Sequence, residues 1–401
     1  MKVKVWKLLS LTIIAICALS AVSMAHAAVS QLTTPSTISS GGVGEYIAYD
    51  SALGEIYSTN GESANTVSVI SDSTSTVVNT VTVGTNPEGI AYDASKGEMF
   101  VINNENSANS GLNSTVSVIQ DSSNTILATV TVGTGAQTGI AYDSGKGEVF
   151  VVNGDGTVSV ISDSSNTVVA TITVGTDPWG AAYDSAKSEI FVSNEGDSSV
   201  SVISDSSNTI VDTITGSISG PEGLAYDSAK GEIFVADYPA ASFSVISDKN
   251  NAVVTTVDMS LADNSAGNPG SVAYDSATGQ VFVTTIGALQ VISDSNNAVT
   301  GYYQMTSLGV AYDSGKAETF VATYNSVLYV IPDSASTSSP TATTSEAPTS
   351  TPSSTTTSSA TSTPKVPEFG SAALISLAAA LVIVTLSTVA FSRKNSKILR
   401  K

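Results

Sequence analysis

An all-β fold, a seven-bladed β-propeller of four-stranded antiparallel blades closed by an N-terminal strand, is predicted by three observations. Ala-Tyr-Asp occurs seven times, at Tyr49-Asp50, Tyr92-Asp93, Tyr142-Asp143, Tyr183-Asp184, Tyr226-Asp227, Tyr274-Asp275 and Tyr312-Asp313. The copies are spaced by 43, 50, 41, 43, 48 and 38 residues, the period of propeller blades. Each unit also holds four strand-length runs rich in Val, Ile, Thr and Phe, separated by turn residues.

The ends of the 401-residue chain stand apart from the repeats. Residues 1–27 read as a secretory signal: Lys2, Lys4 and Lys7, an apolar run over 8–22, and Ala25-His26-Ala27 as a small-x-small cleavage site. The propeller is expected over 28–333. Residues 334–365 form a Ser/Thr/Pro-rich linker, too polar to bury a core. Residues 366–401 hold Pro-Glu-Phe-Gly (367–370), 21 uncharged residues (371–391) long enough to cross a bilayer, and the basic tail Arg393, Lys394, Lys397, Arg400 and Lys401. The basic tail predicts a cytoplasmic C-terminus and a propeller on the outer side of the membrane.

Within the repeats, the fourth unit shows the pattern best. Residues 178–184, 189–194, 199–205 and 209–214 are strands A, B, C and D. Asp184 opens the A–B turn, whose sister copies read Asp-Ser-x-Lys-Gly; Asp bonds its own following backbone and Gly supplies a positive φ. Seven A, B and C runs are present, but only six D runs; the seventh copy stops at Ile331-Pro332-Asp333. The missing strand is expected from residues 31–39, which would latch the last blade to the front of the chain and cover its edge.

The unit resembles the YVTN β-propeller family. The name motif occurs as Tyr57-Ser58-Thr59-Asn60, Phe100-Val101-Ile102-Asn103, Phe150-Val151-Val152-Asn153 and Phe191-Val192-Ser193-Asn194, and drifts to Phe234-Val235-Ala236-Asp237, Phe282-Val283-Thr284-Thr285 and Phe320-Val321-Ala322-Thr323. The family's Val-Gly-x-x-Pro-x-Gly link occurs at 83–89 and 174–180. The resemblance covers about three quarters of the chain and implies the fold, with WD40-like four-stranded blades; family functions are mixed. Pro-Glu-Phe-Gly, the apolar span and the basic tail together resemble the PEF-CTERM sorting signal of archaeal surface proteins. That resemblance implies processing by an archaeosortase and a lipid anchor; a retained transmembrane helix is the alternative.

Composition narrows the chemistry. The only His (His26) and the only Cys (Cys17) lie in the signal, so the mature chain lacks disulfides, thiolate nucleophiles, His bases and His or Cys metal ligands. All 35 acidic residues fall within 28–392, against seven lysines and no arginine, a balance of 7 − 35 = −28. Such a surface repels nucleic acid and attracts cations.

Ligands are expected where the D–A and B–C loops meet at the mouth of the central channel. The D–A position before the repeated Gly holds Glu45, Glu88, Thr138, Trp179, Glu222, Gly270 and Leu308; the B–C loops add Glu62, Glu105, Asp155, Glu195, Asp197, Asp237 and Tyr238. Two readings follow. Glu45, Glu88 and Glu222 would hold Ca²⁺, which takes six to eight oxygens. Trp179 and Tyr238 would form a stacking platform for a sugar or peptide. The bland alternative is a solvated acidic rim with Trp179 packed over it. The long B–C loop, 103–113, ends in the sequon Asn113-Ser114-Thr115, a candidate glycan site.

The leading expectation is a non-enzymatic cell-surface module for adhesion, envelope structure or binding, with no cofactor besides the Ca²⁺ just considered. Its partners would be envelope proteins or glycans, with the membrane reached through the C-terminus and no role for nucleic acid. The alternative is an extracellular propeller enzyme, lactonase-like or cofactor-dependent, using carboxylates and a bound metal. A sensor or sorting partner for DNA or protein is a third; the charge and outside location oppose DNA.

Overall fold

Each repeat forms its sheet by one local recipe. In the fourth unit, A (Pro178–Asp184), B (Glu189–Asn194), C (Ser199–Ser204) and D (Thr209–Ile214) pair antiparallel in that order. Asp184 ends A, and its Oδ1 accepts the N–H groups of Ala186 and Lys187 at 2.9 and 3.1 Å. The same clasp forms at Asp50, Asp93, Asp143, Asp227, Asp275 and Asp313. The turn then needs one left-handed residue. Gly fills that position in five blades; Ser188 and Ala317 adopt φ 58° in the other two.

The computed structural model describes residues 29–333 apart from 43, 62–63, 106–111, 137, 239 and 261–268. The signal, linker, Pro-Glu-Phe-Gly motif and span of the sequence analysis lie outside these residues, as does Glu62. Six blades are continuous in sequence: 44–82, 87–134, 140–173, 178–214, 221–258 and 272–304. Blade 7 takes only A, B and C (Val310–Asp313, Glu318–Ala322, Val327–Pro332) from the end of the repeats. Its fourth strand comes from the front of the chain.

The expected single latch strand divides in two. Strand β1 (Ser30–Gln31) runs parallel to the D strand of blade 6, opposite Gly301 and Tyr302. Strand β2 (Ser36–Ser39) runs antiparallel to Val327–Pro332 and completes blade 7. Pro35 sits between them. Blade 6, which receives β1, has Gly301 where the other continuous blades have Asn79, Ala128, Ala170, Asp212 and Thr255. A Cβ on Gly301 would lie 3.0 Å from two carbons of Leu32, so any larger residue there would crowd the Leu32 side chain.

The core lies between blades. Every B strand alternates its apolar residues between the two neighbouring sheets. Phe150 and Val152 of blade 3 pack against Ile190, Val192 and Ile203 of blade 4. Val149 and Val151 pack against Phe100, Ile102 and Val118 of blade 2. These side chains are fully or almost fully buried, each contributing about 1.5–3 kcal/mol. The seam between blades 7 and 1 is built alike, from Phe320, Leu328 and Val330 against Ile47, Ile56 and Ile70.

Polar contacts reinforce every seam at the end holding the A–B and C–D turns. The Tyr of each Ala-Tyr-Asp lies against the Asp of the preceding blade. The pairs are Tyr92–Asp50, Tyr142–Asp93, Tyr183–Asp143, Tyr226–Asp184, Tyr274–Asp227 and Tyr312–Asp275, and Tyr49–Asp313 closes the ring. Burial first, then neighbouring carboxylates, raise every one of these phenols, Tyr183 to about 12, so all stay protonated; Tyr92, Tyr274 and Tyr312 donate to Asp121, Asp294 and Asp333 of their own blades at 3.1, 3.2 and 3.2 Å. A parallel ring runs the other way. Lys96, Lys230 and Lys316 pair with Asp163, Asp294 and Asp72 of the following blade at 3.0, 3.3 and 3.3 Å. Lys146 and Lys187 reach the carbonyl oxygens of Asp205 and Asp248. The recurrent Asp-Ser-x-Lys-Gly turn is therefore a blade-to-blade connector.

The outer D strands leave open edges. Val78, Leu127, Val169, Val211 and Val254 are each about half exposed, and each is the extra residue at a break in C–D register. A bulge twists an edge away from partners.

Candidate functional site

The end opposite the connector rings is built on the last residue of strand B. Asn194 is fully buried. Its Nδ2 donates to Ser199 Oγ and Ser201 Oγ, both at 3.0 Å, and its Oδ1 accepts the Gly175 N–H at 3.0 Å. One amide thus ties B to C and fixes the start of the D–A loop. Asn103 and Asn153 do the same through Gly84 and Gly133. The terminal Asn of the Tyr-Val-Thr-Asn-like motif is a structural post. Where the motif drifts to Thr, Thr285 and Thr323 donate instead to the carbonyls of Ala288 and Val327, at 2.8 Å each.

Next, the A strands converge on the channel axis, where the repeated Gly allows close approach. A Cβ at Gly180 would lie 2.5 Å from the carbonyl oxygen of Glu222, and one at Gly139 2.4 Å from that of Trp179. The same position is Gly89, Gly223, Gly309 and Ser271 in four other blades. In blade 1 it is Tyr46. It is the one bulky residue at this position, and it lines the cavities on both levels of the mouth.

The outer cavity holds about 230 Å³ and is lined by Glu45, Glu88, Thr138, Trp179 and Leu308 from the D–A position, as the sequence places them. It also takes Tyr46, Asn86 and, from the B–C loop of blade 7, Tyr324. These three were not singled out by sequence. Tyr46 was detectable as the one bulky residue in a column of Gly and Ser. Tyr324 and Asn86 carry no such signal, since loops differ freely between repeats.

Glu45 and Glu88 share the outer cavity with the Tyr46 phenol, and Glu222 acts on it through its charge. Burial, then Glu88, Glu45 and Glu222, raise the Tyr46 hydroxyl far above its ordinary value, so it remains a neutral donor. Glu88 Oε1 accepts the Nδ2 groups of Asn86 and Asn104 at 2.8 and 3.1 Å. The Glu45 carboxylate lies over Gly61, where any Cβ would come within 2.2 Å of it. Glu222 is absent from the outer lining; burial, then Glu195, push it up to about 7. Among the described residues no group of three or more His, Cys, Asp or Glu is placed to hold a metal ion. The expected Ca²⁺ cluster is thus not assembled by these side chains; Tyr46 lines the cavity with Glu45 and Glu88 instead.

The remaining candidates divide. Asp237 is fully buried at the post position of blade 5, accepting Ser244 Oγ at 2.6 Å and Ser242 Oγ at 3.2 Å. It stands where blades 1 to 4 have Asn, as the last residue of strand B rather than in the B–C loop, and its side chain is buried from the channel mouth. Asp155 is exposed but accepts the N–H of Thr134 at 3.0 Å and the hydroxyl of Thr157 at 2.5 Å, bracing its own loop. Tyr238 is half-buried beside Gly220, to whose oxygen its N–H donates at 2.8 Å, and does not line the cavity with Trp179. The paired platform is therefore not formed; Tyr46 and Tyr324 are the aromatic rings that share the cavity with Trp179. Asn113 is exposed as the first residue of a C strand rather than within a loop.

Charge is unevenly divided between the two ends. All six lysines of the described residues lie in A–B or C–D turns. The mouth end carries ten described carboxylates: Glu45, Glu88, Glu105, Asp155, Asp177, Glu195, Asp197, Glu222, Asp237 and Asp258.

No family model matches the chain, and no curated protein matches it. Among solved structures it is similar to Kuenenia stuttgartiensis hydrazine synthase, with a TM-score of 0.63 and 15% identity over 75% of this chain and 97% of that one. The likeness is one of fold.

Proposed function

We propose that this chain is a non-enzymatic cell-surface propeller of the YVTN type that binds proteins or glycans of the envelope at its channel mouth. In this reading residues 1–27 direct export, and residues 334–401, with a PEF-CTERM-like signal, tether the propeller to the outer face of the membrane. One observation carries the choice of the mouth. At the turn end all seven blades repeat the same Asp and Tyr and five repeat the same Lys, and those residues connect blade to blade. At the mouth the equivalent positions differ, holding Glu45, Glu88, Thr138, Trp179 and Leu308 around Tyr46. Identical residues serve the ring; divergent ones are free to serve a ligand. The mouth carboxylates with known partners act as hydrogen-bond acceptors within their loops, an arrangement suited to recognition.

The test is retention of the purified full-length protein on isolated cell envelopes, compared with a W179A/E88Q variant of unchanged melting temperature. Loss of retention in the variant supports the mouth as the binding end. Equal retention removes the mouth from the function.

A further inference from the structure

Resting on that reading, we propose that the mouth recognises an organic ammonium group, primary or quaternary, carried on an aliphatic stem. Two independent features of the cavity point to this chemistry. Three aromatic side chains, Trp179, Tyr46 and Tyr324, line one space of about 230 Å³, which is room for a small alkylammonium group. Aromatic faces attract cations, Trp most strongly, and do so best where water is displaced. Two carboxylates, Glu45 and Glu88, line the same space, so the rings and the negative charge act on one volume.

The wider field agrees. Ten carboxylates and no lysine or arginine occupy the described part of this end, while the six lysines are neutralised within the seams or lie in turns at the other end. That division draws cations to the mouth and repels phosphate or carboxylate ligands. An inorganic divalent ion is served less well: among the described residues no triad of carboxylates closes around one point, and Tyr46 lines the same cavity as Glu45 and Glu88. A spread charge with an apolar surface suits this lining better than a small hard ion that needs six or more oxygens.

The residues have distinct parts. Trp179 and Tyr324 supply aromatic surface for the cation and its stem. Glu45 and Glu88 supply the charge. Asn86 and Asn104 are positioning residues, because their amides hold Glu88 in place.

Trp179 makes the proposal directly measurable. The chain has two tryptophans, Trp6 and Trp179, so a W6F background leaves one indole, at the site. The full-length protein in that background is titrated at physiological ionic strength with choline, with Nα-acetyl-lysine methylamide, and with 3,3-dimethyl-1-butanol, the neutral isostere of choline. The expected result is a saturable change of Trp179 emission with at least one ammonium probe. Affinity for the neutral isostere should be at least tenfold weaker, and E45Q/E88Q should weaken ammonium binding at least tenfold without moving the melting temperature. Preference between choline and the lysine derivative tells a quaternary small molecule from a lysine side chain. The proposal is overturned if neither ammonium probe saturates, if the neutral isostere binds equally, or if Ca²⁺ produces the same saturable change at lower concentration. Envelope retention that depends on Trp179 while both ammonium probes fail would sink this inference and leave the proposed function standing. Ammonium binding with mouth-independent retention would do the reverse.

Discussion

Replacing Asn194 by leucine removes one side chain and three hydrogen bonds while nearly preserving volume. Each bond contributes roughly 1 kcal/mol net, and the Gly175 N–H, which Asn194 Oδ1 accepts, would lose its partner beside the buried post. The expected loss is about 3 kcal/mol. Unfolding entropy near 2.1 cal/mol/K per residue over roughly 300 folded residues gives ~0.6 kcal/mol/K, so N194L should lower Tm by about 5 °C. N194D is the control that blade 5 supplies. There Asp237 holds the same position, with Ser242 and Ser244 hydroxyls turned to donate and the Ser219 N–H placed at 3.4 Å. Ser199 and Ser201 can turn likewise, so N194D should cost about 1 kcal/mol, or ~2 °C. Differential scanning calorimetry of the two variants decides the matter. A shift below 1 °C for N194L, or equal damage from both, would show that the post is not what joins B, C and the D–A loop.

Three further outcomes are expected. Burial raises Glu55, Glu98, Glu189, Glu232, Glu318, Asp205, Asp237, Asp248, Asp333 and Glu222, the last to about 7. Folded values above unfolded ones mean that stability is lost as pH rises through this window and regained on acidification, so Tm should climb from pH 7.5 to about 5; a Tm that falls over that range contradicts the assignment. D237N should stabilise at neutral pH by removing a buried charge, with the gain vanishing below about pH 4, the unfolded aspartate range; melts at pH 7.5 and 3.5 check it. Y46G should keep the fold, since Gly is native at this position in five blades, but admit water to the channel; increased acrylamide quenching of Trp179 in the W6F background is the readout, and unchanged quenching counts against Tyr46 as the channel filler.

The period of Ala-Tyr-Asp was sufficient for blade number and strand order, because a repeat must solve the same local problem seven times. The Asp clasp was legible for the same reason: its partners are two and three residues away. What each Tyr does was not, since it lies against the Asp of the preceding blade, 37 to 49 residues earlier for six of them and at the far end of the repeats for Tyr49. Asn194 and its sisters were visible as a motif but not as posts, because their three bonds join B, C and the D–A loop. At the mouth, Glu45, Glu88 and Trp179 were placed correctly by counting back from the repeated Gly. Asp237 was misplaced because an Asp after an apolar strand reads as loop, whereas here it takes the Asn position within the strand. Leu32 meeting Gly301 depends on the far ends of the chain and left no local trace.

The pairing of Ser36–Ser39 with Val327–Pro332 spans 294 residues from Ser36 to Val330. It imposes an order of events. Blade 7 cannot finish until every other blade's sequence has emerged, and the segment that finishes it is among the first of the described residues to be made. Closing a chain of that length costs about 5 kcal/mol of entropy by the (3/2)RT ln n relation if the intervening residues are still unfolded. Blades folded beforehand shorten the effective loop and reduce that cost. The ring is thus expected to close last, after six blades have curled the two ends together, with β1 on the Gly301 edge holding the early segment beside the gap it will fill.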